Sequence, residues 1–222
     1  MNAPQLAERT VSLPVPSGEA VAGDLVVPAG AAGIVVFAHG SGSGRHSSRN
    51  RMVAAALQRA GFATFLFDLL TPSEERRDDL TGELRFDIPF LAKRLRTVAG
   101  WVRAERALAS LPFGYFGAST GAGAALVAAA GDPGVRAIVS RGGRPDLAGD
   151  ALGQVTAPTL LLVGSLDTPV IDMNRWAYER LAAREKDLLI VPGASHLFEE
   201  PGKLEEVARL AADWFERWLA PA

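Results

Sequence analysis

The sequence predicts a doubly wound α/β fold, a mostly parallel sheet of about eight strands with helices on both faces. Two observations carry this. Short runs that are apolar at every position, such as GIVVFAH and PTLLLVG, suit strands buried on both faces of a parallel sheet. Between them lie segments whose apolar residues recur at three-and-four spacing, as in helices packed by one face. Strand and helix alternate from Gly33 onward, which calls for right-handed crossovers and places chemistry on loops beyond the carboxyl ends of the strands.

Taken in order, Thr10 to Val15 and Ala20 to Val27 are separated by Pro and Gly and read as an antiparallel edge pair. GIVVFAH and FATFLFD open the parallel set. Ser47 or Ser48 caps the helix between them, with Met52, Val53, Ala56, Leu57 and Ala60 inward and Gly61 at its end. The charged stretch from Ser73 to Asp79 reads as a solvated insertion near the rim of a site. Asp87 caps the next helix, which has Pro89 in its first turn and Ile88, Leu91, Leu95, Val98 and Val102 on one face. FGYFGA then forms a strand, followed by a tight turn and an Ala-rich helix. VRAIVS, PTLLLVG and DLLIVP are the remaining strands, and Lys203 to Leu219 form a final helix with a wide aromatic stripe.

With 222 residues, 48% hydrophobic and 22% charged, the chain is expected to be one globular domain over residues 1–222. A chain of this size folds to roughly 10,000 Å² of accessible surface and needs no disulfide or metal staple. It has 0 Cys, which excludes thiolate nucleophiles, zinc ribbons and iron-sulfur clusters. Covalent catalysis must use oxygen or nitrogen, and no cofactor or metal is expected. A net charge of -2 and a pI near 6.0 give no electrostatic reason for nucleic acid or anionic membrane as partner. The uncharged stretch between Arg106 and Asp132 is long enough to span a bilayer, but Pro112 and several glycines divide it into strand, turn and helix. MNAPQLAERT has no apolar h-region, so no signal peptide and a cytoplasmic location are expected.

The turn after FGYFGA reads GASTG, Gly117 to Gly121, and fits the G-x-S-x-G nucleophile elbow. A serine on so sharp a strand-to-helix turn needs small residues two before and two after it. A serine hydroxyl also needs a base within hydrogen-bond reach. The chain has 3 His: His39, His46 and His196. In folds built on this elbow the order is nucleophile, acid, histidine, and only His196 follows Ser119. The acid must hold the imidazole in the right tautomer. Asp132, Asp146, Asp150 and Asp187 stand near turns, helix starts or strand entrances. Asp167, just past the carboxyl end of PTLLLVG, is the expected acid, and Asp172, which also reads as a helix N-cap, is the runner-up. The oxyanion of a tetrahedral intermediate needs two backbone N–H donors: Thr120 supplies one, and Ser41 in HGSGSG the other, with Gly40 as the fallback. HGSGSG lacks the spacing of a phosphate-binding loop, and His39 is expected to brace it. Arg141, just beyond a strand end on the same side as Ser119, is either a bidentate partner for a substrate carboxylate or an ion-paired scaffold residue. Arg45, Arg49 and Arg51 read as a solvated face.

With these residues in hand, the chain resembles the α/β-hydrolase superfamily over nearly its whole length, and within it the dienelactone hydrolase-like group. FAHGSGSGRHSSRNR, FATFLFDLLTP, GYFGASTGAGAALVAAA, SRGGRPDLAG, LLVGSLDTPV and PGASHLFEEPG are similar to a bacterial subset whose members are sometimes joined to a phosphoribosyltransferase domain. No stretch here looks like that domain. The resemblance implies an α/β-hydrolase fold without a lid domain, and ester hydrolysis through an acyl-enzyme. Dienelactone hydrolases proper carry a cysteine at the elbow where this chain has Ser119, so the dienelactone substrate does not carry over.

The expectation is a serine carboxylic-ester hydrolase for small, short-acyl esters, with Ser119, His196 and Asp167 as triad and Ser41 and Thr120 as oxyanion donors. A thioesterase, an acyltransferase or a small-peptide hydrolase would use the same triad. A non-catalytic module binding an acidic ligand or a phosphoribosyltransferase is the rival of another class. The expected partner is a small-molecule ester, with a second copy of the chain and a phosphoribosyltransferase as the candidate protein partners.

Overall fold

The computed structural model describes residues 6–220; residues 1–5 and 221–222 of the expected 1–222 unit lie outside the described residues. In chain order the elements are β1 (Leu6–Pro14), β2 (Ala20–Pro28), β3 (Ile34–Ala38), α1 (Ser48–Arg59), β4 (Ala63–Phe67), α2 (Pro72–Thr81) and α3 (Ile88–Ala104). There follow β5 (Phe113–Ala118), α4 (Thr120–Ala129), β6 (Val135–Arg141), β7 (Thr159–Gly164), α5 (Thr168–Arg180), β8 (Lys186–Val191) and α6 (Lys203–Leu219). They build an 8-stranded sheet in the order β1-β2-β4-β3-β5-β6-β7-β8. β1 and β2 pair antiparallel, as does β2 with β4, and the remaining strands run parallel. The accessible surface is 10160 Å², as the size scaling predicts.

The central strands are apolar throughout because each has helices on both sides. In β3, Ile34, Val36 and Ala38 join a cluster with Leu95 and Val98 of α3 and Leu126 of α4. Val35 and Phe37 join the opposite cluster, with Val53 and Leu57 of α1 and Val207 and Phe215 of α6. Alternate side chains leave a strand on opposite faces, so one five-residue run feeds two cores. The chain leaves β3 for α1 on one face and β5 for α4 on the other. Between these adjacent strands lies the switch point where doubly wound sheets open a crevice, and it is there that HGSGSG and GASTG meet.

The α1 cap is Ser47, whose hydroxyl accepts from Asn50 N–H at 3.3 Å, and the α3 cap is Asp87, which accepts from Phe90 N–H at 3.0 Å. The stretch from Ser73 to Asp79, expected as a solvated insertion, is helical and forms α2. Thr71 and Glu74 make a reciprocal capping box, Pro72 opens the first turn, and Gly82 closes the helix at φ 67°. These end signals stand in the sequence, but α2 has no apolar stripe to reveal its period, its one buried residue being Asp78. Helix α5 was concealed in a similar way. Asn174 occupies one of its core positions, where its Nδ2 donates to Gly143 O at 2.9 Å and to Val170 O at 2.8 Å. Among the described residues no helix is long and apolar enough to cross a membrane.

Candidate active site

Ser119 sits at φ 49°, ψ -124°, a region that a non-glycine residue occupies only when its surroundings enforce it. The surroundings here are specific. A Cβ at Gly117 would lie 2.4 Å from Ala122 Cα, and one at Gly121 would lie 2.3 Å from Ala38 O and 2.4 Å from His39 O. Both glycines are thus required by close approach of backbone, as the elbow pattern demands. The turn is also held from outside: Ser119 N–H donates to Arg141 O at 3.3 Å, and Arg144 N–H donates to Ser119 O at 3.0 Å. The loop after β6 is therefore a brace for the elbow.

The loops after β7 and β8 carry Asp167 and His196, the expected acid and base. His196 Nδ1 and Asp167 Oδ2 are 2.6 Å apart, a short contact with a carboxylate that leaves Nε2 free of it. Asp167 stands at the N-cap position of α5 yet makes no cap bond, and Pro169 in the first turn lowers the demand for one. The two loops are stitched together: Leu166 N–H donates to Ala194 O at 3.0 Å, and Gly193 N–H to Ser165 Oγ at 2.8 Å. At Gly164 they come so close that a Cβ would lie 2.2 Å from Ala194 O. Phe198, at φ 56° and 1% exposed, anchors the far side of the histidine loop in the core. Asp172 lies inside α5 rather than at its cap, with its side chain exposed and 3.2 Å from Arg175, so the structure does not bring it to the site.

The loop after β3 closes over the elbow. A Cβ at Gly40 would lie 3.0 Å from Ser119 Cβ, and Ser41 N–H donates to Thr120 Oγ1 at 3.0 Å. The two expected oxyanion donors are thereby brought together, with Thr120 N–H at the start of α4, where no intrahelical acceptor exists. His39 is buried and doubly bound: Nδ1 faces Gly40 O at 2.9 Å and Nε2 accepts from Leu69 N–H at 3.0 Å. Burial, partly opposed by Gly40 O and by the charge of Asp68, pushes its pKa down, so the neutral ring braces the loop.

Two hollows flank that loop. One, of about 210 Å³, holds Ser119 and His196 together with Arg141, Arg49, Asn50 and Ser47. The other, of about 340 Å³, lies toward β4 and α2 and is lined by Asp68, Leu69, Glu75, Asp78, Arg85 and Thr120 among others. Arg51 is exposed, as expected of a solvated face, whereas Arg45 and Arg49 are drawn in. Arg45 pairs with Asp68 and lies 3.6 Å from Asp24, and Arg49 holds Glu199 at 3.1 Å. Arg141 is 7% exposed, and its Nε and Nη1 have no hydrogen-bond partner. The scaffold alternative of an ion-paired Arg141 is therefore not what the geometry presents. Among the described residues no group of three or more His, Asp or Glu side chains is arranged to hold a metal ion.

Sequence reasoning overlooked the braces: Gly164, Phe198, and the loop from Arg141 to Arg144. A glycine at the end of a buried strand was the one signal available for Gly164, and the close approach that needs it is set by a segment some thirty residues away.

A family model described as PETase, PET hydrolase-like, matches residues 18–221. Proteins from two strains of Mycobacterium tuberculosis, each named a putative phosphoribosyl transferase, are 61% identical over 209 residues. The match covers 93% of this chain but 45% of theirs, so the chain spans about half the length of the curated relatives it matches. Their name and length accord with the expected fusion to a phosphoribosyltransferase domain. A solved dienelactone hydrolase from Anabaena variabilis superposes with a TM-score of 0.93 at 56% identity, covering 97% of this chain and 99% of that one. An esterase from Pyrococcus furiosus shares the fold, with a TM-score of 0.79 at 16% identity over 97% of this chain and 92% of that one. The chain belongs to the PET hydrolase-like family and, among α/β hydrolases, to the dienelactone hydrolase-like group.

Proposed function

We propose that this chain is a serine carboxylic-ester hydrolase that works through an acyl-enzyme. The observation that carries the reading is the 2.6 Å contact between His196 and Asp167, on stitched loops that open into the hollow of an elbow serine. Ser119 Oγ attacks the acyl carbon while His196 Nε2 takes its proton. Asp167 keeps Nδ1 protonated and stabilises the imidazolium. Ser41 and Thr120 N–H groups receive the oxyanion, which displaces the Thr120 hydroxyl from Ser41 N–H. Collapse of the tetrahedral intermediate expels the alkoxide, which takes the proton from His196; water then repeats the cycle on the acyl-serine. The small hollow supports small, short-acyl esters over long chains. The name of the Anabaena relative supports the ester-hydrolase class. We also propose a functional link to a phosphoribosyltransferase, on the strength of the name and doubled length of the curated relatives.

The test is hydrolysis of p-nitrophenyl acetate, butyrate and octanoate by wild type and Ser119→Ala, with mass spectrometry after a fluorophosphonate. Wild type is expected to prefer the short esters and gain one adduct on Ser119. Ser119→Ala should lose at least roughly ten-thousand-fold in kcat. Equal rates in the two proteins would overturn the serine mechanism.

A further inference from the structure

Arg141 is the part of the catalytic hollow for which ester hydrolysis as such has no use. It ends β6, one strand from the nucleophile: Ala118 and Arg141 are register partners in the parallel pair, and Ser119 N–H is bonded to the Arg141 carbonyl. Its side chain is buried, Nε and Nη1 meet no acceptor, and no carboxylate among the described residues pairs with it. Proteins ordinarily match a buried cation, because an isolated charge is expensive to remove from water. This chain does so elsewhere: the buried Arg94 holds Glu74 through Nη2 at 2.8 and 2.9 Å.

The surroundings of Arg141 add positive potential instead of cancelling it. The charge that acts on it most is Arg49, which depresses its proton affinity further. Arg49 holds the exposed Glu199 through Nη1, but its Nε is buried without a partner. Both residues line the hollow, beside Ser47 and Asn50 from the start of α1, whose first turn contains no acidic residue. Of the remaining titratable groups His196 lines the hollow; Asp167 lies behind it, bonded to His196 Nδ1, and Glu199 is held by Arg49.

We propose that this hollow is a subsite for an oxyanion group, carboxylate or phosphate, carried by the substrate, so that the natural substrates are short anionic esters. The proposal rests on the ester-hydrolase reading of the same hollow. Arg141 is the principal ligand of the anion and Arg49 strengthens it from the rim. The hollow is small, about 210 Å³, so a substrate that fits it carries its anion within a few bonds of the scissile carbonyl.

The test compares methyl hydrogen succinate, methyl 3-phosphonopropanoate and the neutral methyl levulinate by pH-stat. Wild type should favour one or both anionic esters over the neutral one by at least about thirtyfold in kcat/KM, and whichever anion wins identifies the source. Arg141→Met should lose about 100-fold on the anionic esters and under about threefold on the neutral one, with Arg141→Lys in between. Absence of discrimination in wild type, or an equal loss on all three esters in Arg141→Met, would overturn the proposal. Calorimetry on Ser119→Ala separates this question from catalysis. Succinate or 3-phosphonopropanoate should bind to that variant and not to Ser119→Ala/Arg141→Met. Binding that needs Arg141 in a chain that hydrolyses no ester would sink the catalytic reading and leave the subsite standing. Binding unaffected by Arg141→Met would sink the subsite.

Discussion

The two hollows on either side of the Gly40–Ser43 loop treat buried charge in opposite ways. Toward α2, each buried ion has a partner. Asp78 accepts from Arg85 Nε at 2.5 Å and from the N–H groups of Leu84 and Arg85 at 2.7 and 3.0 Å, and Glu74 and Asp68 are matched by Arg94 and Arg45. Around Ser119, Arg141 is left without a counterion. Matched charges of the first kind fix the shape of a charged insertion that has almost no apolar core of its own. An unmatched charge of the second kind destabilises the fold, and the proposed anionic substrate is what would offset that cost beside Ser119. Burial and the nearby Arg49 lower the Arg141 pKa from its ordinary 12.5 to about 10, a penalty on the order of 3 kcal/mol at neutral pH.

The largest expected effect concerns the Asp167–His196 pair, on which the proposed mechanism depends. Asp167→Asn keeps the geometry but removes the acceptor that fixes the His196 tautomer, and should lower kcat by roughly ten-thousand-fold. Asp172→Asn should change kcat by less than about twofold, since an exposed i,i+3 pair contributes little. Steady-state kinetics on both variants decides between the two acids, and loss in Asp172→Asn alone would exclude Asp167.

Stability measurements set the two hollows against each other directly. Arg85→Met strands the carboxylate of Asp78, which is 3% exposed in its side chain. Removing one partner of a buried pair costs about 3–5 kcal/mol; because Arg85 is partly exposed, about 2–3 kcal/mol is the better expectation. At roughly 2–4 °C per kcal/mol for a chain of this length, Tm should fall by about 4–12 °C. Arg141→Met removes a charge that has no partner to strand, so Tm should stay level or rise. Equal destabilisation by the two variants would erase the distinction between matched and unmatched charge.

The sequence made legible whatever rests on local pattern. The all-apolar runs revealed the parallel strands, Asp87 and Ser47 announced their helices, and the small residues of GASTG marked the elbow. The loops at strand carboxyl ends then pointed to His196 and Asp167, which lie in contact. Two kinds of feature stayed hidden. Helix α2 carries end signals without an apolar period, so a reading keyed to burial passed over it. The bracing of the elbow by Arg144 N–H, and the close approach at Gly164, depend on which loops the folded sheet makes neighbours. Arg141 was visible as an arginine at a strand end. That it is buried and unpaired, which is what gives it meaning, is a property of three strands and a helix assembled.

The smallest effect is a pH dependence. Below a pKa of about 10 Arg141 is a cation, and the proposed subsite is expected to hold an anion; as the pH rises through that value the attraction should fall. A bound anion favours the charged form, so the midpoint seen in binding should lie somewhat above that of the free protein. His196 and Arg49 line the same hollow, backed by Asp167 and Glu199, so a variant must tie the change to Arg141. Arg141→Lys does this: an ordinary lysine has a pKa near 10.4, and burial lowers it. Calorimetric titration of succinate into Ser119→Ala between pH 7 and 11 should show affinity falling severalfold at the alkaline end. In Ser119→Ala/Arg141→Lys the same decline should begin at lower pH. Identical pH profiles for the two proteins would mean that the anion is held by another group.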